Sequence, residues 1–256
     1  MGSQVVDLNA DAGESYGSWR MGMDERLFPL MTSVNLACGF HAGDPVTILA
    51  AVRHAVGAGV AVGAHPGFAD LIGFGRRDLA ASPDEVYADV LYQVGALRAI
   101  IEVEGATLHH VKPHGALYLR MARDPEIAGA VASAVRDVAP GLPLVVLAGA
   151  GGTVMRDAAE RAGLPTAAEA FPDRAYLASG ALASRATLGA VLRDPQVAAR
   201  RAVRMVVERR VETIDGDDIE LEPETLCVHG DNLESVEIAT AVRAALEDAG
   251  VEVRAF

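Results

Sequence analysis

The sequence predicts an α/β fold whose parallel strands close into a (β/α) barrel, and three observations carry that expectation. Short apolar runs alternate with longer amphipathic segments, without a break, along all 256 residues. The runs read as apolar on both faces, as strands do when helices cover a parallel sheet. Nearly every run ends in a cluster of polar side chains, which is how a barrel assembles a site at the C-terminal ends of its strands. A Rossmann-like open sheet is the alternative. Against it, the glycines of Gly149–Gly152 follow a strand without the dinucleotide spacing. A doubly wound sheet would also gather its polar groups at one switch point rather than at almost every strand end.

Taken in order, strands are expected at Val5–Asn9, Ser33–Ala37, Val60–Ala64, Thr107–Val111, Leu144–Leu147, Thr166–Ala170 and Thr225–His229. Four helices announce themselves by a capping residue before a first-turn proline: Asp44-Pro45, Ser82-Pro83, Asp124-Pro125 and Asp194-Pro195. Glu85, three residues after Ser82, completes a capping box. Behind these starts the helices run over Val46–Ala58, Asp84–Glu104, Glu126–Ala139 and Gln196–Val211, with two more over Thr153–Ala162 and Leu233–Ala249. Ala181–Leu192 reads as a helix or an active-site loop, Val211–Glu222 as a hairpin around Asp215-Gly216, and Val251–Phe256 as a terminal strand. No linker or composition shift interrupts residues 1–256, so one barrel domain is expected.

A chain of this size buries roughly 75% of its unfolded surface and needs no staple to fold. Its net charge of −13 argues against nucleic acid or an anionic membrane as partner. Cys38 and Cys227 match no ligand-pair spacing and read as reduced, buried thiols. With neither a signal peptide nor an apolar run of spanning length, a soluble cytoplasmic protein is expected.

Six stretches bring chemistry to the strand ends: VVDLNADAGE, NLACGFHAGD, GAHPGF, HHVKPHGALY, AEAFPDR and LCVHGD. Asp11 and Glu14, on the turn after the first strand, can bind a metal, act as a general base or cap a short helix. Asn9 and Asn35 offer neutral hydrogen bonds to a polar ligand. His41 and His65, beside glycines and just past successive strands, would join Asp11 in a His/His/carboxylate set of the kind that activates metal-bound water. The bland alternative is a pair of histidines in the pocket wall. Asp44 reads first as the cap of its helix. Lys112 suits a carboxylate or phosphate, and His114 suits proton transfer. His109 and His110 alternate faces, so at most one points into the pocket. Glu169, Asp173 and Arg174 follow the sixth strand, where Arg174 is an anion clamp or the partner of a structural Asp. His229 and Asp231 end the seventh. There is no GxxxxGK[ST] loop and no GxSxG elbow.

The blocks DLNADAGESYG, VNLACGFHAGDP, GAHPGFAD, GFGRR, VKPHGALY, AEAFPDRAY and LCVHGD, in this order, resemble those of the LamB/YcsF family from Asp7 almost to the C-terminus. That resemblance implies a distorted seven-stranded (β/α) barrel similar to the glycoside hydrolase/deacetylase superfamily. It further implies ATP-dependent opening of 5-oxo-L-proline to L-glutamate, together with separately encoded subunits B and C. Under it, ATP with Mg²⁺ is the expected cofactor, Lys112 and Arg174 would hold phosphate or the substrate carboxylate, and Asp11 or Glu14 would bind Mg²⁺ or act as base. His41, His65 or His114 would move protons. A metal-dependent amidase or deacetylase working without ATP, and a non-catalytic subunit that binds oxoproline, are the competing readings.

Overall fold

The computed structural model describes residues 4–228 and 234–256. His229, Asp231 and the first residue of the last expected helix lie outside the described residues. The strands are β1 (Val5–Ala12), β2 (Ser33–Ala37), β3 (Ala61–His65), β4 (Leu108–Val111), β5 (Leu144–Leu147), β6 (Thr166–Ala170), β7 (Arg210–Glu212), β8 (Asp218–Glu220), β9 (Thr225–Val228) and β10 (Glu252–Val253). The helices are α1 (Asp24–Leu27), α2 (Pro45–Ala58), α3 (Pro83–Val103), α4 (Gly115–Met121), α5 (Pro125–Val138), α6 (Thr153–Ala162), α7 (Pro195–Val203) and α8 (Ser235–Asp248).

Seven parallel strands, β1 to β6 and then β9, follow one another around the sheet, and β1 pairs with both β2 and β9. The sheet is therefore a closed barrel, which removes the open-sheet alternative. β10 extends the start of β1, and β7 with β8 form the expected antiparallel hairpin outside the barrel. Asp44, Asp124 and Asp194 each accept two backbone N–H groups at the start of their helices, and the Ser82–Glu85 capping box is complete.

Two expectations need correction, and the open choice between helix and loop at Ala181–Leu192 is decided. The helix expected over Gln196–Val211 stops at Val203; a wider turn over Arg204–Glu208 follows, and Arg209, at φ 55°, turns the chain into the hairpin where Val211 is buried. Ala181–Leu192 contains no helix and is held by isolated bridges and turns. The first strand does not end at Asn9 but runs to Ala12, so Asp11 is a strand residue and not a turn residue.

That last change alters the interior. Side chains alternate along a strand, so Asp7, Asn9 and Asp11 share one face of β1 while Val6, Leu8 and Ala10 take the other. The barrel's strands are thus not apolar on both faces: the acidic and amide groups of β1 are buried in its lumen. Asp7 accepts hydrogen bonds from the hydroxyls of Thr32, Ser33 and Thr225, and burial pushes its carboxyl up against their pull. One layer higher, Asn35 donates through Nδ2 to Asn9 (2.7 Å) and to Asp11 (2.9 Å), while its Oδ1 lies 2.7 Å from His110 Nε2. The His110 ring occupies the space above Gly63, where a Cβ would lie 2.1 Å from Nε2. Beside it the β3–β4 register skips His109, whose ring instead meets His110 Nδ1 and the carbonyl of Phe256, each at 3.0 Å. His110 contacts Asn35 directly, and His109 reaches the lumen network only through His110 among the described contacts.

Candidate active site

The strand ends deliver two groups of side chains to one mouth. The first is built on Lys112, which follows β4 directly and is 2% exposed. Its Nζ lies 2.8 Å from Asp11 Oδ1, 2.7 Å from Glu169 Oε1 and 3.0 Å from Cys227 Sγ. Burial alone would lower the lysine's pKa, but Asp11, Cys227 and Glu169 outweigh it and hold the ammonium well above its usual value. Glu169 is pushed up, first by burial and then by Asp11, against the pull of Lys112. One ammonium therefore bridges two buried carboxylates, a contact that is costly to break from either side.

The second group holds the histidines. His65 ends β3, His114 follows Lys112 by two residues, and His41 lies in the loop after β2. His65 Nδ1 is 2.7 Å from the carbonyl of Lys112, and His114 Nε2 is 2.8 Å from the carbonyl of Phe74. A carbonyl only accepts, so both of those nitrogens carry the proton. The opposite nitrogens, His65 Nε2 and His114 Nδ1, face each other at 2.9 Å. A proton held on one ring or a shared metal ion would satisfy this contact. His114 is held neutral, its pKa driven well below the usual imidazole range by burial and then by His65. His41 is driven down in the same way, by burial, His114 and His65. Its ring is stacked flat on His114 with centroids 3.9 Å apart, and neither of its nitrogens has a hydrogen-bond partner among the described residues. Glu14 Oε1 reaches within 4.0 Å of His41 Nε2 and of His114 Nδ1. Gly75, at φ 62°, backs this stack so closely that a Cβ would come 2.7 Å from His114.

Ligand atoms of Glu14, His41, His65 and His114 all lie within 4.8 Å of one another. Three imidazoles and one carboxylate make a donor set suited to zinc or another divalent transition metal. Carbonyls that fix the far nitrogens are the usual outer support of such ligands. The set fits an ion. Asp11 stands beside it, with Oδ2 3.3 Å from His65 Nε2. Both groups open into a cavity of about 810 Å³ whose wall includes Asp11, Glu14, His65, Lys112, His114 and Tyr118.

A family model described as the LamB/YcsF family matches residues 6–256. The chain belongs to the LamB/YcsF family. A relative in Thermus thermophilus, named as the A component of 5-oxoprolinase, is 62% identical over 98% of this chain and 99% of its own length. One of the same name in Deinococcus radiodurans is 55% identical over 96% and 95%. The crystal structure of a lactam utilization protein, also from Thermus thermophilus, superposes with a TM-score of 0.93 at 60% identity, over 99% of this chain and 100% of that one. A putative cellobiose-phosphate cleavage protein from Enterococcus faecalis, at 16% identity and a TM-score of 0.60, shares the fold alone.

In this LamB/YcsF chain the structure brings Asp11, Glu14, His41, His65, Lys112, His114 and Glu169 together, as the strand-end reading expects. The expected metal set was Asp11, His41 and His65; the atoms that converge are those of Glu14, His41, His65 and His114, with Asp11 adjacent. Asn9 and Asn35 are not free for a ligand: Asn9 Nδ2 donates to Glu169 and Thr225, and Asn35 is committed to Asn9 and Asp11. Arg174 is committed to its own loop, with Asp173 as an attracting neighbour. Its Nε and Nη2 hold the carbonyls of Ala190 and Ala183, which fixes the loop after β6. Asp173 is buried at the base of the same loop, its carbonyl accepting from Leu192 N–H.

Sequence reading took Cys227 as a buried thiol without a role, where it touches the lysine, and left open which of His109 and His110 faces inward, where His110 props Asn35. It also missed Tyr118, whose buried hydroxyl faces Glu169, and Arg76 at the cavity wall. The alternation Asp7, Asn9, Asp11 was the available signal for the lumen; for Arg76 it was the glycine-flanked GFGRR block.

Proposed function

We propose that this chain is the ring-opening subunit of an ATP-dependent 5-oxoprolinase, converting 5-oxo-L-proline to L-glutamate together with subunits B and C in the cytoplasm. The names carried by its close relatives suggest the substrate. The observation that carries the reading is the approach of His65 Nε2 to His114 Nδ1 beside the Asp11 carboxylate, in a cavity large enough for a small cyclic amide.

A lactam resists hydrolysis because its nitrogen is resonance-stabilised. Transfer of the terminal phosphoryl group of ATP to the amide oxygen turns that oxygen into a leaving group. The oxygen of one water then bonds to the ring carbon, the C–N bond breaks as the nitrogen takes up a proton, and a second water displaces phosphate from the resulting acyl phosphate, so that one ATP and two waters give glutamate, ADP and phosphate. Asp11 is placed to take the proton from the attacking water through Oδ2, the oxygen away from Lys112. Lys112 fixes Asp11 in place, and Glu169 holds Lys112. Glu14, His41, His65 and His114 would hold a divalent ion, which when bound supplies Lewis acidity and a water ionised near neutral pH. The histidine set also favours a second reading, a metal-dependent amidase acting without ATP.

Glutamate release from 5-oxoproline, measured with this chain, its B and C partners and ATP, separates these readings. Release that needs all components and is lost in Asp11→Asn is the expected result. Undiminished release with this chain left out would overturn the ring-opening role, and full release without ATP would establish the amidase.

A further inference from the structure

The GFGRR block, Gly73–Arg77, sits in the loop between β3 and α3 and folds back over the histidines. Asp70 anchors it. The Asp70 carboxylate accepts from Gly73 N–H at 2.9 Å and pairs with Arg77, and its carbonyl accepts from Gly75 N–H at 2.9 Å. No side chain fits at Gly73, where a Cβ would lie 2.1 Å from Asp70 Oδ2. The Gly75 carbonyl accepts from Ala116 N–H at 2.9 Å, which ties the loop to the first turn of α4 beside His114. Between these ties Phe74 is held at φ 54°, a left-handed conformation that residues with a Cβ rarely take. Outside the glycines, only Arg209 shares it among the described residues. Two sets of contacts accompany it. The Phe74 carbonyl accepts from His114 Nε2 at 2.8 Å. The Phe74 ring stands edge-on to His114 and His41, with centroids 5.2 and 5.8 Å apart, and the Arg76 guanidinium lies 4.9 Å over its face.

We propose that Phe74 is a positioning residue of the histidine site, its strained backbone fixing both the tautomer and the orientation of His114. The proposal rests on the reading of Glu14, His41, His65 and His114 as an ion-holding set. For Nδ1 of His114 to offer a lone pair to an ion, the ring proton must stay on Nε2. A half-turn of the ring about its Cβ–Cγ bond would put a carbon where Nδ1 stands. A proton moved to Nδ1 would block the lone pair. Either change leaves the donor set one ligand short, and a fixed acceptor at Nε2 opposes both. The left-handed turn at Phe74 aims that acceptor inward, and packing of its ring against the two imidazoles offsets the strain of the turn. Strain of this kind is kept where the surrounding contacts over-determine it, as the ties from Asp70 and Ala116 do here.

A series at this position separates backbone direction from packing. Phe74→Gly accepts the left-handed turn but has no ring; Phe74→Ala also lacks the ring and resists the turn; Phe74→Val fills more space and resists it most. NMR of the metal-free chain with isotope-labelled histidine nitrogens reads the tautomer of His114, with His114→Gln assigning its signals. The wild-type chain and Phe74→Gly are expected to hold the proton on Nε2, and Phe74→Ala and Phe74→Val to show a mixture of tautomers. Zinc affinity, read by competition with a chromogenic chelator, should follow the same order and fall about 10–100-fold in Phe74→Val. A role in packing alone gives the reverse order, with valine retaining most and glycine least. Thermal melting checks that each variant folds; if valine does not, the glycine and alanine variants decide the matter, since they differ only by the methyl group that opposes the turn. Alanine equal to or better than glycine, or a wild-type His114 protonated on Nδ1, overturns the proposal. A wild-type chain that shows the Nε2 tautomer and its expected order among the variants, yet takes up no zinc, would fault the ion reading and leave the positioning of His114 standing.

Discussion

The two sides of the mouth are built differently. On the side of β1 to β4, ligating groups sit on strand ends or within a few residues of them, and each is locked by backbone carbonyls, carboxylates or a glycine behind it. On the side of β5 and β6, cations ride on a long irregular loop whose shape depends on one buried arginine. The first side resembles an ion and proton site, which needs placement to a fraction of an ångström. The second resembles a binding wall, which tolerates adjustment. The contrast predicts that substitutions on the histidine side act on the chemical step or on stability, while those on the arginine side act mainly on apparent affinity.

The largest break should come at the opposed histidines. His65→Ala or His114→Ala is expected to lower glutamate release by about 10²–10⁴-fold at saturating substrate, seen as a fall in kcat; a change confined to KM would move the histidines to the binding wall. Lys112→Met should destabilise the fold by about 3–5 kcal/mol, because Asp11 and Glu169 are left buried beside an apolar side chain. Urea denaturation reads that loss, and a shift below about 1 kcal/mol would mean that the two carboxylates do not depend on the lysine.

The sequence made the barrel legible because its signals are local. Asp-Pro and Ser-Pro helix starts, and β2, β5 and β6 with the expected limits, follow from capping chemistry and apolar runs. His41, His65, Lys112 and His114 were legible for the same reason, since each lies within a few residues of a strand end. What was not legible depends on pairing across the barrel. No local pattern says that Asn35 will be committed to Asp11, or that Cys227 will touch Lys112 from 115 residues away. The hold of Arg174 on its loop was not legible because it bonds the backbone carbonyls of Ala183 and Ala190, and every residue carries one.

Smaller tests sharpen the contrast within the rigid side. Gly63→Ala puts a methyl into the His110 ring and is expected to cost about 1–3 kcal/mol through displacement of His110 and, behind it, Asn35. A crystal structure of the variant should show the two side chains moved; an unmoved His110 would show that the lumen has slack. Asp44→Ala removes the cap of α2 and the bond to Gly17 N–H, for a loss of about 1 kcal/mol in thermal or chemical denaturation. Ring opening should persist, since Asp44 lies outside the converging set; its loss would place the loop carrying Gly17 in the chemistry.

The opposed nitrogens of His65 and His114 are the feature on which the proposed chemistry depends, and metal content tests them most directly. The chain, purified without chelator and reloaded with zinc, should hold about one ion per molecule by mass spectrometry, as expected of a single closed donor set, and Glu14→Gln together with His114→Ala should abolish it. A chain that remains metal-free after loading, with partner-dependent glutamate release unaffected by chelator, would contradict the account.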